Sequence, residues 1–196
     1  MADHTGFTEK QFLKISREYG SDAELRIRKW QDLIHNSTRL SERQKLERVN
    51  DFFNGARFTD DIKLWRQEDY WATPLEFLLE DAGDCEDFSI AKYFTLRAMG
   101  VDNAKLRITY VKALDLNQAH MVLAYYPESS STPVILDNIN KRIKPARERR
   151  DLQPVYSFNA DDLWLARSRN EQLIAGKSKQ LGRWRKLNQR MVQELL

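Results

Sequence analysis

Gly83-Asp84-Cys85-Glu86-Asp87-Phe88-Ser89 holds the only cysteine of the chain and stands where a loop turns into a helix. Gly83 and Asp84 break the preceding segment. From Cys85 to Met99 the apolar residues Phe88, Ile90, Ala91, Phe94, Leu96 and Met99 recur with a helical period, and Gly100 ends the run as a C′ residue. The thiol therefore belongs to the first turn of a helix. Backbone N–H groups there lack intrahelical partners and favour a thiolate, and later an oxyanion. A lone helical cysteine is usually a small buried hydrophobe. The flanking Gly-Asp and Glu-Asp make this one a candidate nucleophile, which needs a base and a group to hold the base.

Three histidines are available. His4 falls in a loose terminus and His35 in a polar helical segment, which leaves His120. Residues Gln118 to Tyr126 read as a strand rich in β-formers. The turn-like Pro127-Glu128-Ser129-Ser130 and a second strand, Pro133 to Asn138, follow. A hairpin folded symmetrically about Glu128 and Ser129 sets His120 directly opposite Asp137, with Cβ atoms about 4.5–5.5 Å apart. A one-residue slip would send the two to opposite faces, so the pairing depends on register. The bland alternative is that Asp137 only opens a turn before Asn138.

The order Cys85, His120, Asp137, with the cysteine opening a helix and the other two on successive strands, resembles the transglutaminase-like core. Trp71-Ala72-Thr73-Pro74-Leu75-Glu76, Asp84-Cys85-Glu86, Ala119-His120-Met121-Val122 and Leu136-Asp137-Asn138 together resemble the bacterial transglutaminase-like cysteine proteinases of the LapG type, over about residues 45 to 170. The resemblance implies a calcium-dependent periplasmic protease that cleaves the N-terminal region of a large surface adhesin at a di-alanine site and so controls biofilm release. It also implies inhibition by the periplasmic domain of an inner-membrane cyclic-di-GMP receptor of the LapD type. On matching positions Cys85 is the nucleophile, His120 the base and Asp137 its orienter, with Asp84 and Glu86 as calcium ligands. Calcium takes six to eight oxygen ligands. Asp87, Asp115, Asn117 and backbone carbonyls are candidates for the rest. Without a metal, Asp84 reads as an N-cap and Glu86 as an acid favoured by the helix dipole. Repulsion among Asp81, Asp84, Glu86 and Asp87 gives a reason for a metal-free site to loosen. The backbone N–H of Cys85 is the expected oxyanion donor.

The same triad serves a transglutaminase-like acyltransferase, since the nucleophile does not reveal whether water or an amine accepts the acyl group. A binding module with a lost site is a third reading, and a complete triad argues against it. Nucleic-acid binding has one feature in its favour: residues 141 to 150 hold Lys141, Arg142, Lys144, Arg147, Arg149 and Arg150 against Glu148. No aromatic residue is interleaved there and the net charge is only +3, so the run reads as a solvated loop.

With 196 residues, 41% hydrophobic and 31% charged, the chain is expected to form a single domain, residues 1–196. No apolar run approaches the ~20 residues of a spanning helix. Ala2-Asp3-His4-Thr5-Gly6 is polar and unlike a secretory signal, so the resemblance implies a mature exported chain. A single cysteine cannot form an internal disulfide. The expected fold is α+β, papain-like, with N-terminal helices packed against an antiparallel sheet. A helical part spans about 7–100, a sheet part about 104–170 and a C-terminal helix about 178–195. Capping boxes are expected at Thr8 with Gln11, Ser21 with Glu24, Ser41 with Gln44 and Thr73 with Glu76. The helices they open would bury Phe12, Ile15 and Tyr19, then Leu25, Trp30, Leu33 and Ile34, then Leu46, Val49, Phe52 and Phe53. Strands are expected at Lys105 to Val111, Val155 to Phe158 and Leu163 to Ala166, besides the hairpin. Leu181, Trp184, Leu187, Met191 and Leu195 form the apolar stripe of the last helix. Trp65, Tyr70 and Trp71 are expected as exposed anchors for a partner.

Overall fold

The computed structural model describes residues 6–128, 131–168 and 171–194. His4, the turn expected at Ser129 and Ser130, and Leu195 lie outside these residues. The α-helices are α1 (Glu9–Tyr19), α2 (Ser21–His35), α3 (Glu42–Phe53), α4 (Asp61–Leu64), α5 (Pro74–Glu80), α6 (Cys85–Ala98) and α7 (Gly182–Glu194). The strands are β1 (Arg57–Phe58), β2 (Ala82–Gly83), β3 (Leu106–Ala113), β4 (Gln118–Tyr125), β5 (Val134–Leu136), β6 (Lys144–Pro145), β7 (Leu152–Phe158), β8 (Asp162–Ser168) and β9 (Glu171–Lys177).

Thr8, Ser41 and Thr73 close the expected boxes with Gln11, Gln44 and Glu76. Ser21 does not. Gly20, at φ 89°, is itself the N-cap of α2, so Ser21 is already helical and Glu24 instead pairs with Arg28 at 2.9 Å. A left-handed φ of this kind suits glycine and lets α1 run straight into α2. Tyr19 and Leu25, expected inside, are each 49% exposed because they fall off the buried stripes Phe12/Ile15 and Ala23/Ile27/Trp30/Ile34.

Among the described residues, β6-β5-β4-β3-β7-β8-β9 form an antiparallel sheet, while β1 and β2 pair in parallel as a separate two-stranded unit. The α+β expectation holds. The sheet gains β6 and β9, which the sequence reading did not anticipate. Alternation along β3 and β4 splits their side chains between two clusters. Leu106, Ile108, Met121, Leu123 and Tyr125 join the large core with Phe88, Ile90, Ala91 and Leu96 of α6. Val111, Val122 and Ala124 join a smaller cluster with Ile135 and Leu152.

The last helix starts at Gly182, after a 3-10 turn at Ser178–Gln180, rather than at Ser178. Its buried residues, Trp184 and Leu187, face the core, as expected for a helix that closes the fold. Trp184 stacks on Phe94 at 5.4 Å and meets Phe158 edge-on at 5.2 Å. No described helix is long and apolar enough to cross a membrane.

Candidate active site

Cys85 is the first residue of α6, and the segment that leads into it is fixed from two sides. Arg57 and Phe58 pair with Ala82 and Gly83, and the N–H of Thr59 donates to the Gly83 carbonyl at 2.9 Å. Position 83 admits only glycine without a shift, because an added Cβ would stand 2.7 Å from Asp87 Cβ and 2.8 Å from a ring carbon of Phe77. Asp87, wholly buried, accepts the N–H of Ala72 on one carboxylate oxygen at 2.7 Å and the N–H of Asp84 on the other at 3.3 Å. Its carboxylate thereby ties the Trp71-Ala72 segment to the start of α6. Trp71 is accordingly buried, stacked on Phe158 at 5.5 Å, and not the exposed anchor expected; Trp65 and Tyr70 are half-buried.

His120 and Asp137 come together in a register other than the symmetric one. Symmetry about Glu128 and Ser129 requires Leu123 opposite Val134, whereas Leu123 pairs with Leu136, Ala124 with Ile135 and Tyr125 with Val134. The displacement is two residues, so faces are preserved and the pair becomes diagonal instead of direct. His120 Nε2 lies 2.8 Å from Asp137 Oδ1, with both side chains almost fully buried. Because β5 stops at Leu136, the start of β4 has β3 as its sole strand neighbour among the described residues. The half-buried Cys85 sulfur packs against that open stretch, where the N–H of Met121, the residue after His120, points to it.

Asp137 is anchored by residues that sequence reasoning missed. Arg149 Nη2 donates to Asp137 Oδ2 at 2.8 Å and the Ile139 N–H donates to Oδ1 at 3.0 Å. The Asp137 carbonyl accepts from Asn54 Nδ2 at 2.9 Å and from Lys92 Nζ at 3.2 Å. Lys92, buried, also donates to Asn50 Oδ1 and Asn54 Oδ1 at 3.0 and 2.8 Å. Burial would push the Asp137 carboxyl up, but the bonds from His120, Ile139 and Arg149 outweigh it and hold the group well below the usual carboxylate range. The basic run is thus only partly a solvated loop. Arg149 is 3% exposed, and Lys141 Nζ donates to the Asn54 carbonyl at 2.8 Å. A charge run gives no signal of which member turns inward.

Around the sulfur the balance of charge is reversed. Asp84, Cys85 and Glu86 gather their ligand atoms within 4.8 Å of one another, as do Asp61, Asp69 and Glu86, and Asp61, Asp84 and Asp87. Asp61 opens α4 just after β1, and its Oδ2 accepts the Tyr70 N–H. Asp61 Oδ1 and Asp84 Oδ1 are buried with no hydrogen-bond partner among the described residues. Burial, then Glu86 and Asp87, push the Asp84 carboxyl up to about 10; burial, then Glu86 and Asp69, push Asp61 up to about 6. Two orphaned buried carboxylate oxygens, from Asp61 and Asp84, with Glu86 and Asp69 beside them, fit a hard cation such as calcium. Asp115 and Asn117, the other expected contributors, are exposed in the β3–β4 turn, and Asp115 joins none of these groups.

The acids also act on the Cys85 sulfur. Cys85 Sγ donates to Glu86 Oε2 at 3.1 Å, and burial, then Glu86 and Asp84, push the thiol up, contrary to the expectation that the helix terminus would lower it. Burial and two flanking carboxylates outweigh a helix dipole of about half a charge.

The family profile described as bacterial transglutaminase-like cysteine proteinase (BTLCP) matches residues 10–153. Among solved structures, LapG of Legionella pneumophila, EGTA-treated, is similar at 45% identity and a TM-score of 0.82, covering 94% of this chain and 98% of that one. Calcium-bound LapG from the same organism is 44% identical with a TM-score of 0.80, covering 94% and 99%. No curated protein matches the chain. With the family profile covering the α6 cysteine and the β4 histidine together, the chain belongs to the bacterial transglutaminase-like cysteine proteinases.

Proposed function

We propose that this cysteine protease hydrolyses a peptide bond with Cys85 as nucleophile, His120 as base and Asp137 as orienter, and that it depends on calcium. The observation that carries the reading is the buried His120–Asp137 pair, with the N–H of the next residue, Met121, directed to a cysteine at a helix N-terminus. With Nε2 held by Asp137, Nδ1 is the ring nitrogen left to take the thiol proton. The sulfur attacks the scissile carbonyl, and the first-turn N–H groups of α6, that of Cys85 foremost, receive the oxyanion. The imidazolium, stabilised by Asp137, returns its proton to the leaving amine, and water then resolves the thioester with His120 again as base.

Asp84 and Glu86, with Asp61 and Asp69 beside them, are the residues that would hold calcium. The ion supplies positive charge that these carboxylates lack among themselves. Asp87 is the weaker ligand candidate, since both its oxygens already hold backbone N–H groups.

By likeness to LapG, the substrate is the N-terminal region of a large surface adhesin cut at a di-alanine site, in the periplasm, with consequences for biofilm release. The inhibitory partner is the periplasmic domain of a LapD-type cyclic-di-GMP receptor. The test is incubation with an adhesin N-terminal fragment, with and without EGTA, followed by mass measurement. Two fragments whose masses sum to the substrate plus one water are expected, only with calcium. Amine incorporation in place of water would assign acyl transfer instead, and cleavage that persists in chelator would remove the calcium assignment.

A further inference from the structure

The sheet face turned away from α6 carries a cavity of about 260 Å³. Its floor is apolar, made by Val111, Val122, Ala124, Ile135 and Leu152 of the smaller cluster. The charged side chains that line it are all arginines: Arg147 and Arg150, exposed, and Arg149, buried. The nearby acids are engaged or turned elsewhere. Asp137 and Asp151 bind Arg149 without lining the cavity, and exposed Glu148 does not line it either.

Arg149 is the informative residue. Its Nη2 donates to Asp137 Oδ2 at 2.8 Å and Asp151 Oδ2 at 2.7 Å, and its Nε donates to Asp151 Oδ1 at 3.0 Å. Nη1 is buried and has no hydrogen-bond partner among the described residues. With the other nitrogens turned to carboxylates, Nη1 is the part of the guanidinium left for the cavity. Buried polar groups are normally satisfied, and a guanidinium N–H is best satisfied by a carboxylate.

We infer that this cavity binds a small apolar carboxylate, an aromatic or branched-chain acid or the same group at the C-terminus of a peptide. The acid group meets Arg149 Nη1 under the rim arginines, and the apolar body lies on the valine, alanine and leucine floor. A cavity of about 150 Å³ holds a benzene ring, so this one has room for a ring and a short acid arm. Strongly hydrated inorganic anions fit the arginines but gain nothing from the floor. The assignment does not rest on the protease reading, although another nitrogen of the same guanidinium holds Asp137.

The test titrates the full chain with phenylacetate and with its neutral counterpart phenylacetamide, following backbone amide signals by two-dimensional NMR. A parallel arm uses a short peptide ending in Phe, with a free or an amidated C-terminus. Saturable shifts centred on Val122, Ala124 and Leu152 are expected for the acids, with the amides about tenfold weaker or more, the worth of one charge-assisted bond. The free-acid and peptide arms tell which source carries the group. Ala124→Leu, which fills the floor, is expected to abolish binding, and Arg147→Gln, an exposed change that leaves the fold intact, to weaken it. Equal binding of acid and amide, or no saturation by either acid in the parent protein, would overturn the assignment.

Discussion

Lys92→Met removes a buried cation whose cost can be worked from its surroundings. Lys92 is inaccessible to solvent, and its three acceptors, Asn50 Oδ1, Asn54 Oδ1 and the Asp137 carbonyl, are neutral groups. Burial lowers its ammonium from 10.5 to about 7, with Asp137 opposing the shift, Lys141 adding to it and Asp51 opposing it again. Below pH 7 the amine is charged in both folded and unfolded chains, and the folded state carries the whole penalty. Between pH 7 and 10.5 the unfolded chain binds the extra proton, so stability rises with pH across that window. At 1.36 kcal/mol per unit the full gap is about 5 kcal/mol, of which roughly 3 falls between pH 6 and 9. In the Met variant, Asn54 Nδ2 still serves the Asp137 carbonyl and Asn50 Oδ1, and Asn54 Oδ1 alone of the three loses its donor, at about 1–3 kcal/mol. The variant is therefore expected to match or exceed the parent in stability at pH 6, and the parent to gain roughly 3 kcal/mol on it by pH 9. Urea unfolding midpoints at both pH values check this, since every other titrating group is common to the two proteins. Parallel pH dependences would refute the reasoning.

Cys85→Ala is expected to abolish cleavage while changing the unfolding free energy by about 1 kcal/mol or less, because the residue is small and not fully buried; residual cleavage would point to another nucleophile. Asp61→Asn removes one orphaned carboxylate from the acidic group and should weaken calcium binding by about tenfold or more, read by calorimetry and by the free calcium needed for half-maximal rate. Unchanged affinity would take Asp61 out of the ligand set. Arg149→Gln leaves Asp137 Oδ2 buried without its ionic partner, which is expected to cost about 3 kcal/mol of stability and to lower kcat more than it alters KM. A rise in KM alone would mean that Arg149 serves the substrate and not Asp137.

The features legible in the sequence are those set by local chemistry. Thr8, Ser41 and Thr73 announce their helices because a capping box is complete within four residues. Cys85 announces its helix start because Gly83 and the apolar period bracket it. Symmetric folding misplaces the strand register by two because eight residues separate Tyr125 from Val134, and nothing local fixes how such a connection is shared out. His120 and Asp137 still meet because alternation has period two and a shift of two keeps their faces. What escaped reading is the buried polar support. Lys92, Asn50 and Asn54 look like the wet faces of α3 and α6 until those helices meet over the Asp137 carbonyl. Asp61 and Asp69 escaped because they lie far from Cys85 in sequence and reach it through the β1–β2 pairing and the loop after α4.

Charge within the site is divided unevenly, and the division gives its two halves different needs. Asp137 has its carboxylate served by His120, Arg149 and the Ile139 N–H and its backbone carbonyl by Lys92 and Asn54, so its half is satisfied by the protein alone. The Cys85 half holds Asp61, Asp84, Glu86 and Asp87, two of which carry buried oxygens without partners, and burial together with Glu86 and Asp84 pushes the thiol up. A thiolate there faces the field of its own neighbours. A cation held by Asp84 and Glu86 would offset the carboxylate part of that opposition and also tie down the start of α6. Cation binding and the readiness of the sulfur therefore share one cause in this fold, while the His120–Asp137 pair is built to stand without it.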